Sequence, residues 1–146
     1  MPKSFTLTEA ERLIPRVGEL LREAIRLKSE YAQAEQSIRA NAERVMLMGG
    51  VVVHREEALA ARNRRDEAAS QLREAFEQIQ EIGCLVKDLD IGLIDFPTRY
   101  GGREVYLCRK LGETGIAFWH DVEDGFAGRK PIDQDFRDHH QADDGE

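Results

Sequence analysis

The chain has 146 residues, a length that fits one domain with a single modest core. Charged residues make up 34% of it, above the usual ~25%, and the formal net charge is −7. That balance argues against a nucleic-acid partner, because phosphate contacts call for a basic patch or stripe, and Arg62, Arg64 and Arg65 are only a local exception. No apolar run approaches the ~20 residues needed to span a bilayer, so no membrane partner is expected. Two cysteines, Cys84 and Cys108, make no disulfide framework. With no signal peptide in view, we expect reduced thiols and a cytoplasmic protein. The acidity is uneven: residues 84–146 hold 8 Lys+Arg against 14 Asp+Glu, while residues 1–83 are near neutral.

Thr8 with Glu11 fits a T-x-x-E capping box, so the first helix is expected from near Glu9. Pro15 lies about two turns in. The apolar spacing continues through it, so we expect a kink there rather than an end near Ile14. Ile14, Val17, Leu21, Ala24, Tyr31, Ile38, Ala42 and Val45 follow helical spacing, with Leu13, Leu20, Leu27 and Ala34 beside them. Gly49-Gly50 breaks the pattern, and Val51-Val52-Val53 make the following loop unusually apolar.

The second helix is expected from His54–Glu57. Its seam is Ala58, Ala61, Ala68, Leu72, Ala75, Ile79 and Ile82, rich in alanine and interrupted at Arg65, with Gly83 as its stop. Together the two segments predict a long antiparallel helical hairpin over about 9–83, with coiled-coil character.

The composition then shifts. Residues 84–87 and 92–96 read as short extended segments, the second closed by Pro97. Tyr100-Gly101-Gly102-Arg103 is a turn. Glu104–Lys110 and Ile116–Val122 are strands joined by a loop at 112–115. Both faces of this hairpin carry apolar side chains, so the sheet needs two coverings. The helices can supply one, and a second copy of the chain is a candidate for the other. Residues 133–146 are acidic and polar and read as a disordered tail containing His139-His140. The fold class is therefore α+β: a long antiparallel helical hairpin followed by a small antiparallel sheet, one domain over 1–132 with its β-rich part at about 84–132.

The residues able to do chemistry gather in the β-rich part. Asp95, Arg103, Glu113, Trp119, His120 and Arg129 are the candidate ligand-binding residues. Asp95 is placed to pair with Arg103 or Arg129, and His120 follows an aromatic wall at a strand end. Cys108 and His120 are weaker candidates for a metal, because no C-x-x-C or H-x-x-x-H spacing accompanies them. There is no phosphate loop, dinucleotide fingerprint or nucleophile elbow, so no cofactor is expected.

The stretches GLIDF, GREVYLCRKLGE and IAFWHDVEDGFAGRKPI resemble the signature of a small bacterial family, domain of unknown function 2203, as does the opening SFTLTEAERLIPRV. The resemblance spans about residues 5–132, and LC-x-x-LGE with FWHD-x-x-x-GFAGR is its most specific part. It implies that Gly92, Asp95, Phe96, Gly102, Arg103, Glu104, Cys108, Gly112, Glu113, Trp119, His120, Gly125, Phe126, Gly128 and Arg129 act as a unit. It implies no activity, substrate or cofactor. Relatives in that family often carry an aromatic where this chain has Arg109, so an aromatic cage is not expected here.

Two functions compete at this level. The first, which we favour, is a non-enzymatic interaction or scaffold protein that self-associates as a homodimer through helices and sheet. The alternative is a small enzyme or binding domain for a small anionic ligand, with metal assistance as a variant and its site on the β-rich part.

Overall fold

The computed structural model of the chain describes residues 3–47 and 55–140. The Gly49-Gly50 break and the 51–53 loop lie outside the described residues. Helix α1 spans Leu7–Leu47 and helix α2 spans Arg55–Ile82. A five-stranded sheet follows: β1 (Leu85–Asp88), β2 (Leu93–Tyr100), β3 (Arg103–Lys110), β4 (Phe118–Asp121) and β5 (Lys130–Pro131). Its order is β1-β2-β3-β4-β5, every pair antiparallel. A short helix α3, Gln134–His139, ends the described chain. The α+β class is as expected. Among the described residues no helix is long and apolar enough to cross a membrane.

The chain divides into two compact units, residues 23–76 and residues 1–22 with 77–146. Unit 23–76 is a helical pair. Ala24, Leu27 and Ala34 of α1 and Ala61, Ala68 and Ala75 of α2 are buried, so alanines from the expected seam let the backbones approach closely. Glu35 meets Arg65 at 3.3 Å and Arg44 meets Glu57 at 3.6 Å, pairings that run antiparallel. Tyr31, Met46, Leu47 and Leu59 are exposed.

In the other unit, α1 begins two residues before the expected start. The capping box is Thr6 with Glu9: the Glu9 N–H donates to Thr6 Oγ1 at 3.0 Å, and the Thr6 N–H donates to Glu9 Oε1 at 2.9 Å. Thr8 and Glu11 offer the same motif. The core selects between them, because Phe5 and Leu7 are both buried and the Phe5 N–H bonds the Pro97 carbonyl at 2.8 Å. The helix runs through Pro15 without ending at Ile14. Gly83, at φ 107°, stops α2 with its N–H on the Ile79 carbonyl, as expected of a C′ glycine.

Strand β2 is longer than the sequence suggests. Pro97 does not close it but sits inside it, opposite Tyr106. Its carbonyl points away from β3, to Phe5, so the missing N–H costs no bond in the β2–β3 ladder. The strand continues to Tyr100, and a two-residue turn through Gly101 (φ 59°) and Gly102 (φ 81°) leads into β3. β4 is shorter than the expected 116–122. Ile116 instead enters the core, its N–H 3.5 Å from Glu11 Oε2.

One sheet face carries Ile94, Phe96, Val105, Leu107 and Trp119 into the core with Leu7, Val17, Leu21 and Ile79. The other face carries Asp95, Tyr106, Cys108, Phe118 and His120. The chain's own 123–129 segment lies against this second face, where Arg129 covers the Phe118 ring at 4.0 Å. The chain itself thus supplies part of the covering of this face.

Residues 133–140 correct a further expectation, since they are not a disordered tail. Asp133 caps α3 by accepting from the Phe136 N–H at 2.9 Å. Phe136 is fully buried, its ring 4.7 Å from Tyr100 and 5.1 Å from Trp119. One aromatic burying its surface there outweighs the acidic composition around it.

Candidate functional site

The turn geometry determines which polar groups meet. Two turn residues between Tyr100 and Arg103 set the β2–β3 register, and that register places Asp95 opposite Cys108. The β3–β4 register places His120 opposite Tyr106, two residues from Cys108 on the same face. Three neighbouring strands thus bring a carboxylate, a thiol and an imidazole together. One potential ligand atom from each lies within 4.8 Å of the others.

All three are buried: Asp95 and Cys108 at 0% exposure and His120 at 3%. His120 Nε2 sits 3.1 Å from both oxygens of Asp95. Its Nδ1 is 2.7 Å from the Asp121 carbonyl. A carbonyl only accepts, so that bond places a proton on Nδ1 and leaves Nε2 turned into the cluster. The Tyr106 ring meets His120 edge-on at 5.5 Å. Burial pushes the Cys108 thiol up to about 12, and the Asp95 carboxylate, to which the thiol donates, pushes the same way. Cys84, buried in the hydrophobic core, is raised to about 11, chiefly by burial.

Asp95 and His120 floor a cavity of about 250 Å³. Lys87 and Leu93 form one side, and Glu123, Asp124, Gly125 and Phe126 form the other. Lys87 reaches this face because Leu85 pairs with Asp95, and its Nζ lies 4.9 Å from the Tyr106 ring centre. The 123–126 wall is pinned through Arg129. Its guanidinium makes a two-pronged bond to Glu113, at 2.7 and 3.0 Å, and passes 4.8 Å from the Phe126 ring centre. Glu113 also accepts the Lys110 N–H at 2.8 Å. Burial pushes the Glu113 carboxyl up, but the bonds from Arg129 and from the Lys110 N–H outweigh it and hold the group below the ordinary range.

The six ligand-binding candidates therefore part company. Asp95 and His120 meet. Glu113 and Arg129 pair with each other and brace the wall beside the cavity. Arg103 and Trp119 lie on the opposite face: Trp119 is buried against Phe136, and Arg103 bonds Asp121 at 2.9 Å. The expected pairing of Asp95 with Arg103 or Arg129 is not made, and His120 and Cys108 take that place. Cys108, one of the two weaker metal candidates, is central to the cluster. Lys87 was missed, because only the β1–β2 register reveals it. The Asp95–Cys108 pairing was legible in principle from the two-glycine turn, but reading Pro97 as a strand end hid it.

The chain belongs to the family described as "Uncharacterized conserved protein (DUF2203)", whose model matches residues 3–132. Neither the curated proteins nor the solved structures hold a significant match to it.

Proposed function

We propose that this chain is a small-molecule-binding domain, with its site on the sheet face floored by Asp95 and His120. The observation that carries this reading is convergence. Three chemically active side chains from three adjacent strands meet, fully or almost fully buried, beside a cavity. Buried polar groups need partners, and these three supply them to one another, which fixes their relative positions beside the cavity.

The size and lining of the cavity define the ligand. At about 250 Å³ it falls below the ~300–1,000 Å³ of drug-sized pockets, which favours a small metabolite. Its lining sets Asp95, Glu123 and Asp124 against Lys87 and His120. That mixture fits a molecule with both an anionic and a cationic or donating part better than a bare anion. His120, oriented by the Asp121 carbonyl and by Asp95, forms with Asp95 the polar floor that such a molecule would meet.

The test is amide and side-chain NMR of the chelator-stripped and zinc-supplemented full chain, titrated with a panel of small zwitterions and carboxylates. Binding should shift His120 and Phe126 and be weakened in Phe126→Ala. If no panel member moves either residue in either form, the reading fails.

A second reading has one observation behind it. Met46, Leu47 and Leu59 of the helical pair are exposed, which suits self-association as a homodimer or scaffold. It ranks lower, because exposed apolar side chains are common on monomers. A clean monomer in sedimentation at tens of micromolar would count decisively against it.

A further inference from the structure

We propose that Asp95, Cys108 and His120 are the protein ligands of a single divalent transition-metal ion, zinc(II) being the ion that fits them. The inference rests on the reading of this sheet face as a binding site, and it names the ion at its floor.

The donor set comes first. A carboxylate, an imidazole and a thiolate together suit zinc, whereas magnesium and calcium take oxygen alone. Geometry comes second. Bond lengths of about 2.0–2.3 Å around a tetrahedral zinc separate neighbouring ligand atoms by about 3.3–3.8 Å. The three atoms already lie within 4.8 Å of one another, and His120 Nε2 is 3.1 Å from the Asp95 carboxylate. Closing around an ion thus asks for shifts of about an ångström.

The surroundings point the same way. A metal-bound histidine ordinarily donates its other ring N–H to a carbonyl or carboxylate, and the Asp121 carbonyl already takes Nδ1. Nε2 then faces Asp95 with either a proton or a cation between them. A divalent ion between an Asp95 carboxylate and a Cys108 thiolate leaves the buried cluster with no net charge. Burial of all three groups then costs far less than it would for separate charges. A thiolate ligand requires loss of the Cys108 thiol proton, so binding releases that proton to solvent. Three protein ligands leave one tetrahedral position open. Because Asp95 and His120 line the cavity, that position is available to water or to the bound molecule.

The test uses the full chain without an affinity tag, stripped with a chelator. It is titrated with zinc chloride by calorimetry and with cobalt(II) by absorbance. We expect one ion per chain, with proton release, and a thiolate-to-cobalt charge-transfer band in the near ultraviolet. Loss of a merely supporting group costs about 10–100-fold in metal affinity, so Cys108→Ser and His120→Ala should each weaken zinc at least tenfold. Cys108→Ser should also abolish the band, whereas Cys84→Ser and His139→Ala should keep it. Because a buried substitution can unfold the chain, the unmodified protein decides by itself: no stoichiometric zinc, or no band, overturns the site. A band surviving in Cys108→Ser overturns it too. If zinc does not bind but small molecules still shift Phe126, the ion is wrong and the binding domain stands. If zinc binds as stated and no small molecule binds either form, the ion stands and the binding-domain reading falls.

Discussion

Replacing Arg129 by Met keeps most of the side chain's bulk and removes the clamp on the cavity wall. The Arg129 side chain is 9% exposed and that of Glu113 is 26% exposed, so the pair lies between the buried and surface regimes. Removing one partner of a fully buried pair costs about 3–5 kcal/mol, while exposed pairs contribute about 0–1 kcal/mol. The guanidinium also lies 4.0 Å from the Phe118 ring centre, a contact typically contributing about 0.5–2 kcal/mol. We expect Arg129→Met to cost about 2–3 kcal/mol, and a double-mutant cycle with Glu113→Gln to return a coupling of about 1–2 kcal/mol. Urea unfolding followed by circular dichroism measures both.

The coupling should depend on pH in a definite direction. The Glu113 carboxyl is held below its ordinary value of 4.5. Its contribution is therefore complete above 4.5 and declines as pH falls through the lower folded value. Hydrogen exchange adds a local readout. The Gly128 and Arg129 amides, bonded to the Gly125 and Phe126 carbonyls, should exchange faster in Arg129→Met. A coupling below about 0.5 kcal/mol at neutral pH, within the usual additivity error, would refute the clamp.

Other consequences concern the fold that holds the site. Phe136→Ala removes a fully buried ring and should cost about 3–5 kcal/mol, with truncation after Ile132 at least as damaging by urea denaturation. A near-neutral result for both would return residues 133–140 to the status of a tail. Thr6→Ala should cost about 1 kcal/mol through loss of the α1 cap, and a larger cost for Thr8→Ala in the same assay would show the cap to be misplaced.

Local chemistry made much of the architecture legible. Helical spacing marks both long helices, Gly83 marks where α2 stops, and Gly101-Gly102 marks the tightest turn. The misreadings have particular causes. Two overlapping T-x-x-E motifs compete for the start of α1, and only the burial of Phe5 and Leu7 separates them. Pro97 ends a strand by local rule, yet it is tolerated where its backbone faces away from β3. Phe136 stands among acidic residues, and nothing within the segment shows that Trp119 and Tyr100 await it.

Propensity, periodicity and turn chemistry act over a few residues, so the α+β class, the helical segments and the concentration of reactive side chains after residue 84 can be read along the chain. Which of those side chains share a site depends on strand pairing between distant residues. Cross-strand register and strand parity send Asp95, Cys108 and His120 to one face and Arg103 and Trp119 to the other. A one-residue slip in the β2–β3 pairing would turn Asp95, and one in the β3–β4 pairing would turn His120, away from Cys108.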